Sequence, residues 1–168
     1  MSEEIDALLA EAPGLEVYLV DVYEPGAPGP IHDWIQAIVA GTVPAADDAV
    51  RHWVHVRDAE RAIRRLVDAG VEGEFHLCGR RAWTQAMVVD ELQHLWERLS
   101  NTLAHSHTVD SLSNTPSPAA VAYEGERRRP DLGPLHDALL ACGTDGWRPM
   151  IAMRTGLMEC IALSSGLA

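Results

Sequence analysis

The chain has 168 residues, 47% of them apolar, and a formal net charge of −12, which suits one ordinary folded domain with a real core and is too balanced for a disordered segment. All 13 basic residues are arginine, so no lysine Schiff base, phosphate-loop lysine or tyrosine–lysine proton relay can come from this polypeptide; the acidic balance also argues against nucleic acid or an anionic membrane as a partner. Cys78, Cys142 and Cys160 are widely spaced and include no Cys-x-x-Cys pair, which argues against a disulfide framework or a structural zinc and for a reduced, cytoplasmic setting.

Ser2 is placed to cap a first helix, with Glu3 and Glu4 at the positive end of its dipole, Ile5, Leu8 and Leu9 on one face and Pro13-Gly14 as its stop. That acidic start is also unlike a signal peptide. Residues 15–23 (LEVYLVDVY) are apolar or β-favouring over a strand's length, as expected of a parallel strand buried on both faces. Its free edge, charged only at Glu16 and Asp21, would template association. After a proline- and glycine-rich break, Ile31, Trp34, Ile35, Ile38 and Val39 fall at helical spacing, with Gly41 as the terminator.

Residues 51–56 (RHWVHV) read as a strand, with His52 and His55 on opposite faces. Asp58 is placed to cap the next helix, whose stripe is Ala59, Ala62, Ile63, Leu66 and Val67. A strand over 74–78 follows, and Thr84 opens a long amphipathic helix through Leu99. Residues 100–130 turn to Ser, Thr, Asn, Pro and Arg and read as a long loop within a single domain, with only His105 to Val109 strand-like. Two short helices close the chain, around Leu135 to Cys142 and Met153 to Leu163, and no apolar run nears the roughly 18 residues of a membrane span.

This succession resembles the extended short-chain dehydrogenase/reductases, specifically their nucleotide-sugar epimerases and 4,6-dehydratases. Asp21-Val22-Tyr23-Glu24-Pro25-Gly26 is similar to the family's Asn-x-Tyr-Gly-Pro-Gly, and Arg51-His52-Trp53-Val54-His55-Val56-Arg57-Asp58 to its Arg-Asp-Trp-x-x-Val-x-Asp. Gly73-Glu74-Phe75-His76-Leu77-Cys78-Gly79, Arg129-Pro130-Asp131, Gly146-Trp147-Arg148-Pro149 and Gly156-Leu157-Met158-Glu159 resemble its later motifs in order. The resemblance implies an α/β class and a truncated scaffold: residues 1–168 as the C-terminal, substrate-binding half, with a remnant of the outer parallel strands plus the small mixed α/β substrate domain. By the same resemblance the chain starts just downstream of the family's catalytic lysine. It holds no Gly-x-x-Gly-x-x-Gly fingerprint, so NAD(P) is expected only if a partner chain supplies its site.

The resemblance also implies a substrate site. Arg51 and Arg129 would clamp the diphosphate of a nucleotide sugar, a task that suits the planar, always charged guanidinium fork; Asp21, Tyr23 and Leu77 complete the implied substrate-binding set. Asp21 and Leu77 stand where the family has asparagine, which puts a repulsive charge and a side chain without hydrogen bonds into that set. The bland alternative pairs Arg51 with Asp58 or Glu60 and leaves 127–129 as a solvated basic run. No metal site is expected: only His105 and His107 share a face, with no further ligand beside them. The five tryptophans, Trp34, Trp53, Trp83, Trp96 and Trp147, read as core or partly buried anchors. Three readings stay open: a substrate-binding subunit that acts as a homodimer or with a dinucleotide-binding chain, a non-catalytic pseudoenzyme or binding module, and a cofactor-free enzyme with a repurposed cleft.

Overall fold

A computed structural model describes residues 2–110, 125–126 and 128–165. The chain divides into two compact units: Met1–Glu24, Arg51–Ala82 and Arg127–Met153 form unit 1, and Pro25–Val50, Trp83–Glu126 and Arg154–Ala168 form unit 2. The elements in order are α1 (Glu3–Ala10), β1 (Leu15–Leu19), β2 (Val22–Tyr23), α2 (Pro30–Val39), β3 (Val50–Arg51), β4 (Val54–His55), α3 (Val56–Asp68), β5 (Gly73–Leu77), β6 (Trp83–Thr84), α4 (Gln85–Leu103), α5 (Gly133–Ala141) and α6 (Met153–Ser164). The helix–strand alternation expected from the sequence is present, with local corrections inside it.

In unit 1, β1 and β5 run parallel in the register Leu15↔Gly73 through Leu19↔Leu77. The strand expected over 15–23 is interrupted at Asp21, whose φ of 54° leaves the β region. It resumes as β2, parallel to β4 with Tyr23 opposite His55. The expectation of burial on both faces also gives way. Leu15, Phe75 and Leu77 enter the core while Glu16, Tyr18, Glu74 and His76 stay exposed, because the period of two sends alternate side chains to opposite faces and these four carry polar ends.

The strand expected over 51–56 is split: Val50–Arg51 form β3, His52 and Trp53 lie in neither strand, Val54–His55 form β4, and Val56 already belongs to α3. Asp58 is not its cap: the His55 ring takes that place, its Nδ1 accepting the Arg57 amide at 3.1 Å. Ser2 likewise occupies the N-cap position of α1 without capping it, and its hydroxyl donates to Glu60 Oε1 at 2.7 Å instead. The apolar stripe of α3 is as read, with Ala59, Ala62, Ile63 and Leu66 buried. They join Ile5 and Leu8 of α1, Phe75 and Leu77 of β5, Leu135 and Leu139 of α5, and Trp147 in one hydrophobic cluster.

In unit 2, α2 buries Ile31, Trp34, Ile35 and Ile38, and α4 buries Val88, Val89, Leu92 and Leu95. Thr84 caps α4 as expected, accepting the Met87 amide at 3.1 Å. The buried Glu91 of α4 accepts from Arg154 Nε of α6 at 2.6 Å, which ties the two helices by a charge-assisted bond. Helix α4 runs to Leu103, and residues 104–110 hold no strand, so the strand-like reading of 105–109 is corrected; residues 111–124 and 127 of the expected loop lie outside the described residues. Trp34, Trp83 and Trp147 are buried, and Trp53 and Trp96 half-buried, as the sequence suggests. Among the described residues no helix is long and apolar enough to cross a membrane.

Candidate functional site

In open α/β sheets, ligands gather outside the carboxyl ends of the strands. Unit 1 has two such ends, and the chain builds them differently. Past β5 it runs through Cys78 to Gly79, whose amide donates to the His52 carbonyl at 2.7 Å. A Cβ at Gly79 would run into the Trp53 carbonyl, so only glycine lets the two backbones approach this closely. Arg80 follows at once, exposed.

The other walls come from the segments flanking α5. Arg129 Nη1 donates to the Arg80 carbonyl at 3.2 Å. Asp131 accepts the Gly133 amide at 2.9 Å and so fixes the entry to α5. Trp147 is held at two points: its indole N–H donates to the Cys78 carbonyl at 2.8 Å, and its amide donates to His136 Nδ1 at 3.0 Å. The second bond makes Nδ1 an acceptor, so the ring proton of neutral His136 belongs on Nε2. Gly146 approaches the same ring at a φ of 73°, where a Cβ would collide with it. Together Arg80, Arg129, Asp131, Leu132, His136 and Trp147 line a cavity of about 560 Å³. Two guanidinium groups, an imidazole and an indole around that volume can bind an anion carrying a flat apolar group.

At the carboxyl end of β1 the arrangement is closed. Asp21 sits in left-handed backbone, its Oδ2 accepts the His52 amide at 2.7 Å, and its carbonyl accepts the Val54 amide at 3.0 Å. Its Oδ1 takes Arg51 Nη1 at 3.3 Å. The partner of Arg51 is therefore Asp21, not the Asp58 or Glu60 considered from the sequence. Tyr23 is buried edge-on against His55, with ring centroids 5.2 Å apart, and against Trp53 at 6.5 Å. Leu77 is 0% exposed and belongs to the core.

Of the five residues singled out from the sequence, the structure thus joins Asp21 with Arg51, sets Arg129 in the cavity, and places Tyr23 and Leu77 in packing roles; Arg51 is not among the cavity's lining residues. Arg80 and His136 were missed. Arg80 had a readable signal, since it follows the glycine just past a strand; His136 had none, because its role depends on Gly146 and Trp147 farther along the chain. The Cys78 thiol is pushed up to about 11, first by burial, then by the Asp21 carboxylate, against a lowering by the Arg129 guanidinium. Its field therefore registers both strand ends.

No protein-family model matches the chain, and no curated protein does. Solved structures do. The dTDP-glucose 4,6-dehydratase of Bacillus anthracis in complex with NAD is similar at a TM-score of 0.62 and 18% identity, over 89% of this chain and 44% of that one. A UDP-N-acetylglucosamine 4-epimerase of Methanobrevibacter ruminantium in complex with UDP-N-acetylmuramic acid gives 0.60 and 15%, over 95% and 49%. The UDP-glucose 4-epimerase of Thermus thermophilus in complex with NAD gives 0.55 and 18%, over 99% and 52%.

The chain carries part of the extended short-chain dehydrogenase/reductase fold.

It spans about half the length of the solved structures it matches. At these identities the likeness is one of fold. Within this fold the cavity past β5 is the feature that bears on chemistry, since a shared scaffold hosts many functions and the site decides among them.

Proposed function

We infer that the chain binds a nucleotide sugar or a related nucleoside diphosphate in the cavity past β5, as the substrate-binding part of an epimerase/dehydratase-type scaffold that acts with a partner chain. The observation that carries this reading is the pairing of Arg80 and Arg129 at one cavity of about 560 Å³, a volume within the range of small-molecule sites. The guanidinium clamp proposed here is Arg80 with Arg129, in place of Arg51 with Arg129. The epimerase and dehydratase structures of the same fold, one of them bound to UDP-N-acetylmuramic acid, support the ligand class.

The dinucleotide is assigned to the partner. The turn that enters α2 carries Gly26 and Gly29, but Pro30 stands at the first turn of that helix, where a pyrophosphate would need a free amide. The residues there are a poor fit to NAD, and without lysine the chain has no tyrosine–lysine pair to use it. The β1–β5 pair supports the need for a partner: two parallel strands are marginal alone, and their outer face leaves Glu16, Tyr18, Glu74 and His76 exposed. In this reading a homodimer or a dinucleotide-binding chain covers them.

A second reading, a binding module without chemistry, draws on the closed end of β1, where Asp21 neutralises Arg51. Calorimetry separates the possibilities. UDP-, dTDP- or GDP-sugars should give saturable heat, and NAD or NADP none; a flat response to all three sugars counts against the proposal, and micromolar NAD binding overturns the assignment of the cofactor to a partner. Sedimentation of a stable monomer at high micromolar concentration in the presence of nucleotide sugar would remove the homodimer.

A further inference from the structure

Unit 1 has a second cavity, of about 200 Å³, on the face of α3. We propose that it is a binding site for a small oxoanion, inorganic phosphate or a compact phosphomonoester, held by Arg65 and Arg148 beside the Arg61–Asp58 pair. Nothing in the nucleotide-sugar reading requires it.

The site is built from helical spacing and one buried carboxylate. Asp58, Arg61, Ala62 and Arg65 recur at i, i+3, i+4 and i+7, so they share one face of α3. The Asp58 side chain is wholly buried and holds the segment after α5 down on that face: it accepts the Met150 amide at 3.1 Å on each oxygen and the Ile151 amide at 2.9 Å. Arg148 lies in that segment and is carried to the same cavity, with Leu139 and Trp147 as apolar walls.

The charge is what asks for a ligand. Asp58 is already engaged by two amides and by Arg61. Arg65 and Arg148 make no ion pair among the described residues, although the chain carries −12 overall and Arg51, Arg64 and Arg154 are each paired with an acid. Arg65 and Arg148 border one cavity in which Asp145 is the one lining acid besides the engaged Asp58, so positive charge is left over there. An oxoanion relieves this, and the planar fork matches its geometry. The volume admits phosphate or a short ester and is small for a nucleotide. Asp145 stands on the rim and opposes an anion.

The test is a titration of the full chain with inorganic phosphate and, separately, glycerol phosphate, at constant ionic strength, followed through the backbone amide NMR shifts of residues 144–150. Saturating shifts are expected with one or both probes, the tighter of the two naming the source, and not with chloride. Arg65→Ala and Arg148→Ala, both at exposed positions where folding is not at stake, should each weaken binding roughly three- to tenfold, and the double variant should abolish it. Asp145→Asn should tighten it. Shifts that never saturate, that chloride reproduces, or that persist in the double variant overturn the proposal. So does their loss in Arg129→Ala, which would put the anion in the first cavity.

Discussion

At the carboxyl end of β1, Arg51 leans on Asp21; at the carboxyl end of β5, Arg80 and Arg129 border an open cavity. Both ends carry arginine beside a strand, and both lie within one unit. The difference is the local partner. Asp21, held in left-handed backbone by two hydrogen bonds, points its carboxylate at Arg51, whereas no acid is paired with Arg129 among the described residues, and its recorded bond is to the Arg80 carbonyl. An arginine whose neighbour already accepts from it has that bond to give up before it can serve a ligand, a small cost at a half-exposed pair.

The largest test of this contrast removes the close approach on which the open end is built. Gly79→Ala would drive its Cβ into the Trp53 carbonyl, and the obstacle is backbone, so the variant should lose about 3 kcal/mol of stability by denaturant melt. A loss below about 1 kcal/mol would mean that the two backbones separate easily and that the end of β5 is not rigidly placed.

Next in size is the response to ligand. If a nucleotide sugar binds as proposed, Arg129→Ala should weaken it by about 1.5–3 kcal/mol, the range of a charge-assisted hydrogen bond, while Arg51→Ala should change it by less than about 0.5 kcal/mol. Equal losses at the two arginines would erase the contrast. Both variants need to retain the wild-type melting profile for the comparison to count.

Cys78 reports on both ends at once. Its folded value of about 11 lies above the ordinary 9.0. Between those values the unfolded chain has released the proton and the folded chain still holds it, so rising pH favours unfolding. Stability should be intact below pH 9 and fall as pH climbs toward about 11, by up to about 2 kcal/mol. Cys78→Ala should remove this share of the loss and leave the share of Cys160, whose thiol burial pushes up to about 12. Because Asp21 raises the thiol and Arg129 lowers it, Asp21→Asn should shift its titration down and Arg129→Ala up, measured by thiolate absorbance; shifts of the same sign would contradict the placement of one of them.

The smallest effect is the closed pair itself. Arg51 is half exposed, so a double-mutant cycle of Asp21→Asn and Arg51→Ala should give a coupling of only about 0.5 kcal/mol. Asparagine suits the comparison because it tolerates left-handed backbone and keeps an oxygen for the His52 amide. A coupling above about 2 kcal/mol would make the pair a structural lock.

Much of the scaffold was readable from one sequence. The stripes Ile31–Trp34–Ile35–Ile38 and Ala59–Ala62–Ile63–Leu66 and the Thr84 cap involve neighbours along the chain, and such periodicity survives folding because it is what the core selects. The pairing of the 15–19 and 73–77 segments was legible through the order of motifs, and Arg129, singled out there for a diphosphate, lines the cavity past β5. What failed was set by residues distant in sequence. Ser2 turned to Glu60 and Asp58 turned to Met150 and Ile151, each satisfying a group that a local reading cannot see. Leu77, read as a site residue, went to the core because its side chain falls on the inward face of β5.

By itself, then, the sequence determined the alternation of helices and strands, the arginine-only basic charge of this chain and the motifs that outline the fold, because each depends on residue type and on spacing within a few turns. Only the tertiary structure decided which arginine is free. That depends on the 3.3 Å from Arg51 to Asp21 across 30 residues, and on Arg80, His136 and Trp147 lining one cavity with Arg129 from separate segments. Charge neutralisation falls off with distance in space, and distance in space is what the linear chain does not record.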